Sequence, residues 1–404
     1  MPERDALPQA WPQTTTPDAH ATDFRVLRER EFPSVARAPW LNAASMTPLA
    51  ERSRRAIDEF NRLRSDVGSL RGQHFEPVMV RCRRAAARLI GADEDEIALL
   101  PNTSFGINLA AQSLPLESGR RVVLSDREFP ANVYPWLGME RLRGARVDVL
   151  PADPRGKPDE ARMLEELARG DVGILAVSAV QFTDGWVADL EALGRACRAH
   201  GTWFVVDAIQ ALGQLPLDVR ACGIDVLATG GHKWLCGPFG TGFTYVRREV
   251  IDRMEPHLIG WTSMTASADL ERVLDYEYAF IEGARRFEVA TQPWQDYTGF
   301  AESLELVIEA GPARIREHVL GLIDPLAAWL RARGVEVTSD MRPERRSGIF
   351  SFRPADPAGA HRALSRAGVG CVVREGAVRL APHLYNQPED VDTVMRVLDG
   401  VVQG

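Results

Sequence analysis

The strongest constraint on the fold is an alternation of short apolar segments with helical patterns between residues 81 and 245. Several of the segments are apolar throughout, which is typical of strands buried on both faces of a sheet. Helical patterns such as Asp189–His200 separate them, and repeated β-α units predict a mostly parallel sheet of seven strands flanked by helices. The predicted strands are Glu96–Leu100, Arg121–Ser125, Arg146–Leu150, Val172–Ser178, Trp203–Asp207, Asp225–Thr229 and Gly242–Val246.

A second, smaller unit follows residue 299. A helical stretch over Ala301–Glu309 leads into a new alternation of strands and helices up to residue 398, which predicts a small α+β domain of about 100 residues. The expected organisation of this α/β chain is a flexible tail over residues 1–20 and a segment over 21–64 that packs on the small domain. The chain is then expected to form a large domain over residues 65–298 and the small C-terminal domain over 299–404.

Composition excludes several classes of protein. The formal net charge of -8 opposes binding to nucleic acid, which requires a basic surface. No stretch approaches the roughly 20 apolar residues that span a bilayer, and the N-terminus lacks the pattern of a secretory signal, so we expect a cytoplasmic protein with no membrane contact. Five cysteines without a C-x-x-C pair predict neither disulfides nor a metal site.

The use of lysine is unusual. Of the 48 basic residues, only Lys157 and Lys233 are lysines. Codon bias accounts for the abundance of arginine but not for these two positions. Because a lysine can lose its proton in a desolvated pocket and attack a carbonyl, whereas arginine cannot, Lys233 becomes a candidate nucleophile.

The residues around Lys233 strengthen this interpretation. It follows a predicted strand, within the glycine-rich segment Thr229–Trp234, and glycines let a backbone approach a ligand closely. Asp207 ends a neighbouring apolar strand. A carboxylate there could hold the ring N–H of a pyridoxal cofactor, although alone it could also be a simple strand-end cap.

Two further segments follow predicted strands. Thr103 and Ser104 open a helical pattern, where hydroxyl and N–H groups form an anion site or an ordinary N-cap. Phe129 follows the second strand, where its ring could stack on a planar cofactor or belong to the core.

These residues, in this order, resemble the class V aminotransferase family of pyridoxal-phosphate enzymes, which includes cysteine desulfurases, selenocysteine lyases, isopenicillin N epimerases and related C–S lyases. The resemblance runs from about Leu41 to Asp392 and centres on D-A-I-Q at 207–210 and G-H-K at 231–233. It implies pyridoxal 5'-phosphate as cofactor and fold type I.

The resemblance also implies roles for individual residues. Lys233 would bind the cofactor covalently as a Schiff base, Asp207 its ring nitrogen and Gln210 its ring O3'. His232, Thr103 and Ser104 would bind the phosphate, and Phe129 would stack on the ring. Arg379 would hold the substrate carboxylate, and residues 40–45, with Asn42 as a substrate contact, resemble an N-terminal lip of the active site. Thr291 matches a threonine that reaches the phosphate of the neighbouring subunit, which implies a homodimer with shared active sites.

Departures from the family pattern favour one branch. Phe129 stands where desulfurases have a histidine, and Gly230 where a phosphate-binding serine is common. Desulfurases carry their nucleophilic cysteine on a mobile loop, whereas Cys371 lies in an apolar run eight positions before Arg379. We therefore interpret Cys371 as a packed thiol. The sequence is closer to the isopenicillin-N-epimerase-like branch.

The predicted function is pyridoxal-phosphate chemistry at Cα or Cβ of an amino acid or amine, as an aminotransferase or a C–S or β-lyase. Cysteine desulfurase, selenocysteine lyase and amino-acid epimerase are alternatives, and a catalytically inactive binding protein on the same fold is another. Arg374 and Arg286 are candidates either for a second substrate carboxylate or for structural roles.

Overall fold

A computed structural model describes residues 23–66, 68–268, 271, 274 and 276–401. The tail predicted over residues 1–20 lies outside this range. The helices are α1 (Phe24–Glu31), α2 (Glu51–Ser65), α3 (Glu76–Ile90), α4 (Thr103–Ser113), α5 (Tyr134–Arg143), α6 (Glu160–Ala168), α7 (Leu190–Ala199), α8 (Arg248–Ile251), α9 (Trp294–Ala310), α10 (Pro312–Arg331), α11 (Pro357–Arg366) and α12 (Pro388–Asp399). The strands are β1 (Ile97–Leu99), β2 (Arg121–Ser125), β3 (Arg146–Leu150), β4 (Val172–Ser178), β5 (Trp203–Asp207), β6 (Val226–Gly230), β7 (Gly242–Val246), β8 (Glu336–Val337), β9 (Phe350–Arg353), β10 (Val372–Arg374) and β11 (Ala377–Leu380).

The large sheet has the order β1-β7-β6-β5-β4-β2-β3, with β7 antiparallel to both of its neighbours and all other pairs parallel. Parallel neighbours need a long crossover, whereas β6 and β7 are joined by the short loop 231–241, so β7 returns antiparallel. That loop contains Lys233 and begins at the carboxyl edge of the sheet. The predicted mostly parallel seven-stranded sheet is confirmed.

Both faces of the large sheet are covered. Val205 on β5 belongs to one apolar cluster, and its neighbours Phe204 and Val206 belong to another on the opposite face. Every residue of β4 is buried. The strands are therefore apolar throughout because helices pack on both sides, and their ends are held rigidly.

The small sheet is antiparallel, in the order β10-β11-β9-β8. The N-terminal segment joins it, since Leu41 N donates to Gly370 O at 3.0 Å and Ala381 N donates to Leu41 O at 2.7 Å. Further along, Thr47 N donates to His232 O at 3.0 Å. The segment thus connects the small sheet to the Lys233 loop.

One predicted boundary was wrong. The helix expected over Ala301–Glu309 begins seven residues earlier, at Trp294, and contains Gly299. A Cβ at Gly299 would lie 2.6 Å from Ile57 Cδ1, so this glycine allows the close approach of α2 rather than ending a helix. The division of the chain into the predicted domains stays a proposal.

Across the described residues, the helices are too short or too polar to cross a membrane.

Gly106 sets how closely α4 packs on the sheet. A Cβ there would lie 2.2 Å from Thr244 Oγ1 and 2.6 Å from Ala228 Cβ, which leaves no room for alanine. We expect Gly106→Ala to lower the free energy of unfolding by about 1–3 kcal/mol through overpacking. Gly138 in α5 is the control, because a Cβ there meets nothing within 4 Å. Gly138→Ala should be neutral or stabilising by up to about 1 kcal/mol. Urea unfolding of both variants checks this, and equal effects would contradict the packing argument.

Candidate active site

The Lys233 loop is fixed by its backbone. Lys233 O accepts from Thr47 Oγ1 at 2.8 Å and from Cys236 N at 2.9 Å, and Gly231 N donates to Thr241 O at 2.7 Å. The Lys233 Nζ lies 5.7 Å from the centroid of the Phe129 ring. The structure therefore brings together the predicted nucleophile and the predicted stacking ring.

The two lysines of the chain have opposite surroundings. Lys157 Nζ is ion-paired with Asp184 and donates to Thr338 O at 2.9 Å. No ion pair joins Lys233 to any residue that the structure describes. Burial lowers the pKa of Lys233 to about 8, against the opposing charge of Asp207. Part of the Lys233 population is therefore a neutral amine near neutral pH.

Asp207 ends β5 and is 3% exposed. Its Oδ1 accepts from Ile209 N at 3.0 Å. Burial, with a smaller contribution from the charge of Glu128, raises the pKa of this carboxyl to about 6. A cationic N–H placed beside such a carboxylate would offset the loss of hydration and hold it in the charged form.

Glu128 is a buried carboxyl that sequence reasoning missed. It accepts from Ser178 N at 2.9 Å, from the Ser178 hydroxyl, from Asn132 Nδ2 at 2.9 Å and from Gln181 Nε2 at 3.1 Å. Burial raises its pKa. Ser178 is the partner of Asp207 in the β4–β5 register, so Glu128 ties the loop after β2 to the strand beside Asp207. Its position three residues after the end of β2 was the available signal.

The Glu128 network positions Phe129. The Phe129 side chain is 43% exposed, and its ring meets Phe182 edge-to-face, with the centroids 5.1 Å apart. A half-exposed ring near Lys233 Nζ is available to a planar ligand.

The start of α4 fits a phosphate group. Asn102 Oδ1 accepts from Phe105 N at 3.1 Å and caps the helix. The Thr103 hydroxyl is buried and has no hydrogen-bond partner among the described residues, and Ser104 beside it is exposed. An unpaired buried hydroxyl at the N-terminus of an 11-residue helix is the environment that a phosphate would satisfy. These residues therefore fit pyridoxal phosphate.

His232 and Thr291 are the other two residues predicted to contact the phosphate. The His232 ring stacks on Phe239 at 5.4 Å, and burial lowers its pKa to about 4, so it is neutral at pH 7 and could donate an N–H without adding charge. Thr291 is exposed and lines, with Asn102 and Ser104, a cavity of about 840 Å³.

The Gln210 amide is engaged by protein groups. Its Nε2 donates to Ala44 O at 3.0 Å and its Oε1 accepts from Trp234 Nε1 at 2.8 Å. One N–H of Nε2 is left for a ligand, so the predicted contact with ring O3' stays a prediction that uses this single donor.

Arg379 is a buried cation that no carboxylate of the described residues pairs with. It is 2% exposed, Nη2 donates to Ser45 Oγ at 2.9 Å and Nη1 donates to Phe182 O. Its Nε has no partner among the described residues, and neither does Oδ1 of the buried Asn42 in the same N-terminal segment as Ser45. Burial lowers the pKa of Arg379 to about 9. A buried guanidinium in this state favours binding of an anion.

Cys371 is buried, and burial raises its pKa to about 12, so it is a neutral thiol. Downstream, Glu375 and Gly376 form a two-residue turn with φ of 46° and 73°. This tight hairpin gives no long arm before Arg379 on which a nucleophile could move.

Comparisons with known proteins identify the family. The family model of class V aminotransferases matches residues 41–397. A probable cysteine desulfurase of Methanothermobacter thermautotrophicus is 30% identical over 92% of this chain and 96% of its own. The isopenicillin N epimerase of Streptomyces clavuligerus is 29% identical over 80% and 84%. The apo structure of the cysteine desulfurase from Thermococcus onnurineus NA1 superposes with a TM-score of 0.84 and 25% identity, covering 94% of this chain and 98% of that one.

The chain belongs to the class V aminotransferase family. The predicted family, the fold type I architecture and pyridoxal phosphate as cofactor are confirmed. The roles of individual residues stay predictions.

The lowered pKa of Lys233 predicts how its reactivity depends on pH. Only the neutral amine attacks an aldehyde, and its fraction rises with pH through the pKa. We expect the rate at which cofactor-free protein captures pyridoxal phosphate, followed by absorbance, to be half-maximal near pH 8. A short lysine peptide is the control and should need a pH near the ordinary lysine value of about 10.4. The same midpoint for protein and peptide would contradict the buried position of the amine.

Proposed function

We propose that this chain is a pyridoxal-phosphate-dependent aminotransferase or C–S or β-lyase that acts on an α-amino acid. The observation that carries the proposal is the pair of buried cations: Lys233 has no ion pair and Arg379 has no carboxylate among the described residues. Lys233 is suited to react with the carbonyl of the cofactor, and Arg379 is suited to bind the carboxylate of the substrate. An enzyme of this family that acts on an α-amino acid needs both groups.

Bound pyridoxal phosphate supplies an aldehyde carbon and a ring that accepts the electron pair released when a bond to the substrate Cα breaks. Thr103, Ser104 and the neutral His232 would hold its phosphate, with Thr291 contributing from a neighbouring subunit. Asp207 would keep the ring nitrogen protonated, Gln210 would donate to O3', and Phe129 would cover the ring.

The remaining steps belong to residues that meet the substrate. Arg379 would bind the α-carboxylate through its fork of N–H groups, with Asn42 beside it. Lys233, once its amine is released, would take the proton from Cα as a general base, because its pKa of about 8 lies close to the pH at which it works.

The desulfurase alternative requires a mobile, reactive cysteine. The buried position of Cys371 and its raised pKa support elimination or transamination rather than sulfur transfer through this thiol. An epimerase would use the same lysine and carboxylate site, so analysis of the products, as keto acid, ammonia, sulfide or inverted amino acid, assigns the reaction.

Two further features belong to the proposal. The protein would form a homodimer with shared active sites, which is supported by the exposed position of Thr291 in the cavity beside Ser104. It would be cytoplasmic, which is supported by five cysteines without a disulfide.

Loss of the Arg379 guanidinium tests the site. We expect Arg379→Gln to lower kcat/KM for an α-amino acid by about 100-fold, because the carboxylate loses a buried, charged partner. The corresponding amine, which has the same side chain but no α-carboxylate, should react at the same rate with Arg379→Gln as with the wild type, because it does not contact Arg379. Arg379→Lys should recover only part of the activity, because lysine lacks the fork.

The control is Arg331→Gln, which removes an exposed arginine from the last turn of α10 and should leave both substrates unaffected. Equal losses for the amino acid and the amine in Arg379→Gln would show that Arg379 does not bind the carboxylate.

A further inference from the structure

Two arginines project from one face of the β10–β11 hairpin. The register pairs Val372 with Arg379 and Arg374 with Ala377. Because residues two apart on a strand share a face, Arg374 lies on the same face as Arg379 and is its diagonal neighbour. Such diagonal pairs have their Cα atoms roughly 7–8 Å apart, within reach of one small ligand for two long side chains.

Within the part of the chain that the structure describes, no carboxylate pairs with Arg374. It is exposed, its Nη1 donates to the adjacent Val373 O at 3.0 Å, and no ion pair joins it to a described residue. Arg286 is the other arginine whose role the sequence did not decide, and it does have partners. Its Nη1 lies 3.0 Å from Asp252 Oδ1, and its Nε donates to Ile281 O at 3.2 Å. The structure thus gives Arg286 a structural role and places Arg374, without an ion pair to a described residue, on the hairpin face that carries Arg379.

The charge of Arg374 acts on the active-site cations. It lowers the pKa of both Arg379 and Lys233. The nearest acid in the chain, Glu375, instead acts on Arg127, which also pairs with Asp126. A substrate α-carboxylate bound to Arg379 would neutralise that guanidinium. The positive charge of Arg374 would remain without a partner of opposite charge.

We propose that Arg374 forms, beside Arg379, a second anion subsite, and that the substrate is an α-amino acid whose side chain carries a carboxylate or another anionic group. The inference rests on the proposed function, since Arg379 must hold the α-carboxylate for Arg374 to meet the side chain. Arg374 is then a residue that determines substrate specificity. It should affect binding of the substrate side chain rather than the chemistry at the substrate Cα.

Binding of non-reactive acids to the holoenzyme tests this directly. Glutarate and valerate have equally long carbon chains, lack an amine, and differ in one carboxylate. By calorimetry, the wild-type holoenzyme should bind glutarate about 10-fold more tightly than valerate, as expected for one charged hydrogen-bonded contact. In Arg374→Gln the preference for glutarate over valerate should fall below about 2-fold, while the affinity for valerate stays unchanged. In the wild type, high salt should reduce the preference for glutarate.

Arg331→Gln is the matched control, because it removes one exposed arginine elsewhere and should keep the glutarate preference. Retention of the visible absorbance of the cofactor in Arg374→Gln shows that the variant is folded and loaded.

Two outcomes would overturn the subsite. Equal weakening of glutarate and valerate in Arg374→Gln would mean that Arg374 shares the first carboxylate with Arg379. No glutarate preference in the wild type would mean that Arg374 meets no second anion. A protein that holds no pyridoxal phosphate would instead fail the proposed function, before either acid is added.

Discussion

The active site depends on two buried basic groups, Lys233 and Arg379, that form no ion pair with any residue the structure describes. Removing an ion from water costs several kcal/mol unless a partner of opposite charge compensates. Lys233 lowers this cost by giving up its proton more readily, whereas Arg379 keeps its charge and uses two neutral acceptors, Ser45 and Phe182. The carboxylate of a substrate supplies the opposite charge that Arg379 lacks. The free-energy cost of burying Arg379 therefore favours binding of substrates that carry a carboxylate.

Three parts of the chain hold these cations in place. The large sheet presents the Lys233 loop and Asp207 at the carboxyl ends of β6 and β5. The small sheet presents Arg379 on β11, and the N-terminal segment contacts both, through Thr47 at the Lys233 loop and Ser45 at Arg379. Because all three elements meet at one point, the geometry of the site is determined by packing rather than by any single loop.

Much of this arrangement follows from local sequence. Lys233, Asp207 and Thr103 were predicted because each stands at the end of an apolar strand or at the start of a helix, where ligands of parallel sheets bind. The network around Glu128 was not, since Ser178 and Gln181 lie 50 and 53 residues further along the chain and only the tertiary fold brings them to Glu128. The start of α9 was missed for a similar reason, because Gly299 resembles a helix breaker until α2 packs against it.

The central claim is that Lys233 forms the covalent bond to the cofactor, and the chain offers a clean test because it contains two lysines. The measurement is reduction of the holoenzyme with borohydride, followed by peptide mapping. One pyridoxyl phosphate group per chain is expected on Lys233, with Lys157→Arg still labelled and Lys233→Arg unlabelled. Label on Lys157, or a reduced protein without label, would contradict the account.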